Sequence, residues 1–211
     1  MRTKIVIIGG GGFGREVFNL INKDLFEIIG FIDNVIKGDT VLPLPIIGDD
    51  NLIPILNEKG IADHACVTIG NLQKRKSISE ATILSGLLLP NILYTSSTII
   101  TSIPLGFGVV IYPNVVVMND CNIGRGVLLN AGVTLGHDVI VGDYSSVNPG
   151  AHIAGKVRIG QEVLIGIGAV IKENVTIGNR VIIGAGSVVL NDIPDNSIAY
   201  GIPAKVMKSN I

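Results

Sequence analysis

Three histidines, His64, His137 and His152, are the side chains best suited to move a proton near neutral pH. His137 is followed directly by Asp138, and a carboxylate beside an imidazole can fix the imidazole tautomer and stabilise its charged form. His64 lies in the front part of the chain, so His137 and His152 are the two candidate general bases. The alternative for each is a structural role, which is more common for an isolated histidine. The adjacent Asp138 favours His137 over His152 as the general base.

A second chemical motif lies near the N-terminus, where Gly9-x-Gly11-x-x-Gly14 is followed by Asp33. Glycine amides at a helix N-terminus can hold a pyrophosphate, and an acid about twenty residues later is where a ribose-binding residue is expected. The motif predicts a phosphate site without selecting a nicotinamide. The alternative is a small α/β domain whose glycines only make a tight turn.

The element that must position His137 is a repeat of six residues, since every sixth residue from Leu87 onward is aliphatic. This spacing fits neither an α-helix nor a hairpin sheet and predicts a parallel β-helix, with three faces and eighteen residues in each coil. Gly155 then stands one coil above His137. The repeating positions are Leu87, Leu93, Ile99, Leu105, Ile111, Val117, Ile123, Leu129, Leu135, Val141, Val147, Ile153, Ile159, Ile165, Ile171, Ile177, Ile183 and Val189.

Two further positions of the repeat are regular. Glycine follows eight of the aliphatic residues, and a small or β-branched residue comes four places after most of them. We interpret each hexad as a flat face and a corner, with Gly or Asn relieving the backbone where φ is positive.

The pattern in the first 83 residues is typical of an α/β domain. The pattern predicts strands over residues 4–8, 28–32 and 65–69, helices over 15–22 and 52–58, and a solvated surface helix that includes Lys74-Arg75-Lys76. The predicted domains are a Rossmann-like domain (1–83), a β-helix (84–193) and a C-terminal tail near the coenzyme (194–211).

Composition excludes several classes of function. A formal net charge of -1 offers no basic surface for nucleic acid. The stretch between Glu80 and Asp120 has no charged residue, but its prolines and short period argue against an integral membrane segment. Cys66 and Cys121 lack metal or disulfide spacing, so we expect a cytoplasmic protein with two packing cysteines.

Three segments carry a resemblance to a known family. Asn130-Ala-Gly-Val-Thr-Leu-Gly-His-Asp138, Pro149-Gly-Ala-His-Ile-Ala-Gly155 and Gly201-Ile-Pro-Ala-Lys205 resemble the hexapeptide-repeat sugar acetyltransferases. That family includes bacillosamine-pathway and perosamine N-acetyltransferases and sialic acid O-acetyltransferases. The resemblance implies a left-handed β-helix and a homotrimer, with acetyl-CoA between neighbouring β-helices and no metal.

The resemblance also assigns roles to residues. It implies His137 as general base and Asp138, where relatives usually have Glu, as its orienting acid. Some relatives have histidines in place of Ser146 and Phe13, and an Asp-Asp pair in place of Asp33-Asn34. The implied acetyl-CoA site comprises Asn130, Ser146, Gly155, Ile167 and Ala185, and the implied nucleotide-sugar site comprises Gly10, Gly11, Gly12, Phe13, Asp33 and Asn34.

The sequence therefore predicts an acetyl-CoA-dependent acetyltransferase that acts on the amino group of a nucleotide-linked sugar. Sugar O-acetylation and a non-catalytic nucleotide-sugar-binding protein remain alternatives. A zinc-dependent hydratase is disfavoured, because only His137 and His152 lie on the repeat and a three-histidine site needs another imidazole.

Overall fold

A computed structural model describes residues 2–36 and 38–210. Contacts divide the chain between Ile92 and Leu93 into a front unit and a C-terminal unit. In the part of the chain that the structure describes, no helix combines the length and apolar character needed to cross a bilayer.

The front unit is built on a five-stranded sheet in the order β3-β4-β2-β1-β5. All neighbours are parallel except the β3-β4 hairpin, which the sequence pattern did not predict. The elements are β1 (Thr3–Ile8), α1 (Gly12–Leu20), β2 (Phe26–Ile32), β3 (Thr40–Val41), β4 (Leu44–Gly48), a 3-10 helix (Asp50–Ile55), β5 (His64–Val67) and α2 (Leu72–Leu84).

The aliphatic side chains of the central strands form the core of this unit. Val6, Ile8 and Ile32 are at most 1% exposed, and Leu87 joins the same cluster. Leu88, the next residue, pairs with His64 of β5. This pairing holds Leu87 against the core of the front unit. The prediction from the six-residue spacing, which places Leu87 in the coil, is therefore wrong at this residue.

The prediction of a solvated α2 is wrong for three of its residues, since Arg75, Ser79 and Thr82 are buried. Arg75 is only 3% exposed, and its Nη1 donates to the carbonyl of Ile69 at 3.3 Å. A single buried cation within a basic run leaves no trace in the sequence pattern. The adjacent Lys74 is exposed, as predicted.

The C-terminal unit is a parallel β-helix whose strands are two residues long and recur at the predicted six-residue spacing. They pair eighteen residues apart, as in Thr134 with His152. The bounds are β6 (Ile92–Leu93), β7 (Thr98–Ile99), β8 (Val110–Ile111), β9 (Val116–Val117), β10 (Asn122–Ile123), β11 (Leu128–Leu129), β12 (Thr134–Leu135), β13 (Ile140–Val141), β14 (Ser146–Val147), β15 (His152–Ile153), β16 (Arg158–Ile159), β17 (Leu164–Ile165), β18 (Val170–Ile171), β19 (Thr176–Ile177), β20 (Ile182–Ile183) and β21 (Val188–Val189).

These strands stack into three sheets that form the faces of the coil. One face runs from β8 through β11, β14 and β17 to β20, a second from β7 to β21, and a third from β10 to β19. The repeated aliphatic residues from Ile111 onward point inward and are at most 2% exposed. The small residues four places later, from Val109 to Val157, are fully buried.

The corners correct our interpretation of the glycines. Positive φ falls three places after the aliphatic residue and is adopted there by side chains such as Asp138 and Lys156 as well as by glycine. The glycines directly after the aliphatic residue have no positive φ. They are required because coils stack closely, so that a Cβ on Gly136 would lie 2.7 Å from the nitrogen of Gly155.

The final two strands reverse the direction of the chain. β22 (Ser197–Gly201) continues one face in parallel with β20, and β23 (Ala204–Ser209) pairs with β22 antiparallel. The Ile202–Pro203 peptide bond in the connecting turn is cis.

Both cysteines are buried free thiols, as predicted. Burial raises the pKa of the Cys66 thiol to about 12, which keeps it protonated and inert.

Candidate active site

His137 lies at the corner that follows β12, and the coil geometry determines its surroundings. Its Nδ1 lies 2.7 Å from Oδ2 of Asp138. Asp138 has φ +59°, and this left-handed turn brings the side chain of Asp138 beside the ring of its neighbour. Donation from Nδ1 to the carboxylate leaves Nε2 with its lone pair, as a general base requires.

Gly155 occupies the same corner one coil above, and the imidazole of His137 lies in the space that a side chain there would fill. A Cβ on Gly155 would come within 2.7 Å of His137 Nε2. The coils are also joined here, since Lys156 N–H donates to the carbonyl of His137 at 2.8 Å. The glycine therefore permits both the ring position and close approach of a ligand to the backbone.

A polar cavity opens beside the carboxylate of this pair. It is lined by Asp138, Lys156, Arg158, Asn174 and Thr176. Lys156 and Asn174 follow Asp138 at intervals of eighteen residues, so the repeat itself stacks them above it. The eighteen-residue period could have identified them from the sequence.

The structure does not bring all the predicted acetyl-CoA residues together. Gly155 lies at the His137 corner, whereas Ile167 and Ala185 lie at the corners after β17 and β20, on another edge of the β-helix. Ile167 is 60% exposed there, and Asn130 lies at that edge two coils below Ile167. Ser146 is only 4% exposed on the face that leads to this edge.

The other two histidines have different settings. His152 lies one coil above His137, on the face that leads to the His137 corner, and its Nδ1 lies 2.8 Å from the hydroxyl of Thr134. His64 begins β5 in the front unit, where its ring lies 5.8 Å from that of Phe26. Among the three, only His137 has a carboxylate within hydrogen-bond distance in the described structure.

A second cavity lies in the front unit, at the carboxyl ends of β1, β2 and β5. Gly11 and Gly12 open α1, and nothing lies within 4 Å of a Cβ placed on either. Packing therefore does not require these two glycines, and they leave the first amides of α1 open to an anion. Gly14 is required by packing, because its Cβ would clash with the carbonyl of Gly9.

Asp33 connects the glycine loop to the end of β2. Its carboxylate accepts from the amides of Gly10 at 2.7 Å, Val35 at 2.7 Å and Ile36 at 2.9 Å. Burial favours the protonated acid, but these hydrogen bonds outweigh it and hold the pKa of Asp33 below its ordinary value. Asp33 is thus an ionised residue that shapes the loop and lines the cavity.

Sequence reasoning missed the two other charged residues of this cavity, Asp50 and Lys74. Asp50 forms reciprocal hydrogen bonds with Asn34, from a segment sixteen residues away that has no repeat to indicate the contact. Within residues 2–36 and 38–210, no group of three His, Cys, Asp or Glu side chains is placed to hold a metal.

Two family models match the chain. The PglD N-terminal domain matches residues 4–82, and the bacterial transferase hexapeptide (six repeats) matches residues 120–155 and 156–191. A comparison with curated protein sequences found no significant match.

Solved structures resemble nearly the whole chain. Perosamine N-acetyltransferase from Caulobacter crescentus, in complex with CoA and GDP-perosamine, is 33% identical with a TM-score of 0.92, covering 97% of each chain. The acetyltransferase domain of PglB from Neisseria gonorrhoeae, in complex with acetyl coenzyme A, is 32% identical with a TM-score of 0.88, covering 98% of this chain and 100% of that one. WeeI from Acinetobacter baumannii is 27% identical with a TM-score of 0.84, covering 97% and 100%.

Proposed function

Because the chain belongs to the hexapeptide-repeat sugar acetyltransferases, with a PglD-type N-terminal domain followed in the sequence by a left-handed β-helix, we propose that His137 is the general base of an acetyl transfer to a nucleotide-linked amino sugar. The protein is an acetyl-CoA-dependent sugar acetyltransferase. The observation that carries the residue assignment is the position of the His137 imidazole, which lies against Gly155 and has its Nδ1 within hydrogen-bond distance of Asp138.

The reaction follows from this geometry. The sugar amine attacks the thioester carbonyl, and Nε2 of His137 accepts the proton that the amine loses. Asp138 stabilises the resulting imidazolium. The tetrahedral intermediate collapses to the amide, and the sulfur of CoA leaves and takes up a proton.

The amide of Gly155 is our candidate donor to the developing oxyanion. Gly155 lies against the imidazole of His137, so a thioester that reaches Nε2 also comes close to its backbone. No described residue accepts a hydrogen bond from this amide, whereas the amides of Ala154 and Lys156 on either side are both satisfied. A free N–H near the reacting carbon is what oxyanion stabilisation requires.

We place acetyl-CoA between two copies of the chain in a homotrimer. The support is the separation of the predicted residues, since His137 and Gly155 are on one edge of the coil and Ile167 and Ala185 are on another. A ligand can contact both sets by lying between the His137 edge of one subunit and the Ile167 edge of the next. We also place the enzyme in the cytoplasm, where acetyl-CoA and nucleotide sugars are available.

The experiment for the activity uses the purified full chain with acetyl-CoA and a panel of GDP-, UDP-, dTDP- and CMP-linked 4-amino sugars. We expect release of CoA thiol with at least one amino sugar, and a product that carries one acetyl group on nitrogen. Matched sugars with a hydroxyl in place of the amine should be inert. Absence of thiol release with every amino sugar would contradict the proposal, and turnover of the hydroxyl series would indicate O-acetylation.

Subunit mixing tests the shared site. His137→Ala and Ile167→Glu should each be inactive, and Ile167 is exposed, so its substitution should not disturb the fold. Refolding the two variants together should restore part of the activity, because some interfaces then combine a native His137 edge with a native Ile167 edge. A mixture as inactive as its components would place both residues in one subunit's site.

A further inference from the structure

The mouth of the front cavity is formed by two side chains that hold each other in one orientation. Asn34 follows β2 and Asp50 follows β4, which are neighbours in the sheet. Asn34 Nδ2 donates to Asp50 Oδ2 at 2.5 Å, and Asn34 Oδ1 accepts from the Asp50 amide at 2.9 Å. The second bond fixes which end of the amide is nitrogen, since a flipped Asn34 would lose both partners.

This arrangement leaves a defined set of groups for a ligand. Asp50 Oδ1 has no donor among the described residues, and Asn34 has a second N–H on Nδ2. The pair therefore offers a carboxylate acceptor next to an amide donor. Val35, which is 79% exposed, and Ile36 supply apolar surface beside the pair in the same cavity, as a flat aromatic ring requires.

The position of the pair assigns it to the base of a nucleotide. The open amides of Gly11 and Gly12 at the start of α1 mark the phosphate end of the cavity. Asn34 and Asp50 lie past the end of β2, on the side of β4 and away from β5. A nucleotide with its phosphates on α1 places its base toward Asn34 and Asp50.

Resting on the proposed function, we propose that the Asn34–Asp50 pair selects guanine, so that the acceptor is a guanosine-diphosphate-linked amino sugar. Guanine presents two adjacent donors, N1–H and N2–H, to the carboxylate and its O6 acceptor to the Asn34 amide. All three contacts are complementary, and those to the carboxylate are charge-assisted.

The other bases match less well. Uracil and thymine present a single N–H between two carbonyls, so that one carbonyl faces the second carboxylate oxygen without a proton between them. Adenine and cytosine each present one amino donor next to a ring-nitrogen acceptor, and so make two contacts. An unmatched polar group in a recognition site is strongly rejected, so guanine is favoured over uracil most clearly.

Isothermal titration of the full chain with GDP, IDP, ADP, CDP and UDP, without acetyl-CoA, tests this. We expect GDP to bind roughly 10- to 100-fold more tightly than UDP, and IDP, which lacks only the N2 amino group, to bind about 10-fold more weakly than GDP. UDP affinity equal to that of GDP, or IDP affinity equal to that of GDP, would overturn the proposal.

Two variants separate recognition from folding. Asp50→Asn keeps an acceptor for Asn34 and removes the carboxylate, so GDP affinity should fall roughly 10- to 100-fold while UDP affinity does not fall. Asp49→Asn is the matched control, because Asp49 caps the 3-10 helix by accepting from Asn51 and does not line the cavity. The proposal fails if Asp50→Asn binds GDP as the parent does.

The outcomes also separate this proposal from the proposed function. Selective GDP binding without acetyl transfer would leave base recognition intact and remove the activity. Acetyl transfer to a UDP-linked sugar, with no preference for guanine, would support the activity and contradict the proposed base recognition.

Discussion

Two edges of the β-helix carry polar side chains and use them in different ways. Along one edge, which we call the ladder edge, side chains form bonds between neighbouring coils: Arg125 Nη2 lies 2.6 Å from Asp143 Oδ2, and Asn179 accepts from Gln161 N–H at 2.9 Å. At the His137 edge, His137 and Asp138 pair within one coil. The polar atoms of the ladder edge are used by the fold, whereas those of the His137 edge face outward.

The difference between the two edges is due to Gly155. Gly155 interrupts the stack of side chains above His137, and the imidazole occupies the space that it leaves. At the ladder edge, the equivalent column continues with Arg125, Asp143, Gln161 and Asn179. If side chains of successive coils also bonded to each other at this edge, the His137 imidazole would not be available to a substrate.

The largest expected effect is at His137. His137→Ala should lower turnover by about 10^2- to 10^4-fold, because the amine loses its proton acceptor. Steady-state assays of CoA release, with thermal unfolding to check the fold, measure this. His152→Ala is the matched control one coil above, and it should stay within about threefold of the parent. Equal losses in both variants would contradict the assignment.

Gly155→Ala should remove the feature that distinguishes the two edges. The new Cβ would lie 2.7 Å from His137 Nε2, so the ring must move, and turnover should fall about 10^2-fold. Adding Gly155→Ala to His137→Ala should cost much less, because no ring remains to be displaced. Additive losses in this double-mutant cycle would mean that Gly155 acts independently of His137.

Asp138→Asn should have a smaller effect, a loss in turnover of about tenfold. The amide can still accept from Nδ1 but cannot stabilise the imidazolium, and Asn tolerates the left-handed backbone of this position. The side chain of Asp138 is 50% exposed, so water replaces part of its contribution. A turnover equal to that of the parent would show that Asp138 has no role in the reaction.

The smallest expected change in activity is at the ladder edge. Arg125→Ala removes the pair with Asp143 and should cost about 1 kcal/mol of unfolding free energy, because Arg125 is half exposed. The melting temperature should fall by about 2–4 °C. Turnover should stay within about twofold of the parent. A loss of activity comparable to that of Asp138→Asn would erase the contrast between the edges.

The β-helix was largely predictable because its period is local and repeated many times. The inward positions and the eighteen-residue pairing follow from the aliphatic spacing. The spacing failed at Leu87, since the hexad pattern cannot distinguish a coil residue from an aliphatic residue that packs with another core. It also could not separate the glycines that coil stacking requires from the positions of positive φ.

The candidate site was predictable to the extent that it depends on the repeat. His137 and Asp138 are adjacent in the chain, and Gly155 follows one coil later. The contact between Asn34 and Asp50 depends on how the unpredicted β3-β4 hairpin places the residues after it. The burial of Arg75 likewise depends on tertiary packing that no local pattern reports.

The antiparallel β23 has a consequence for assembly. A stack of identical parallel coils could, in principle, accept another copy end to end and grow into a fibre. Reversing the last strand removes the parallel template on that face, and Lys205 and Lys208 add charge to it. The short hairpin therefore disfavours end-to-end growth across that face.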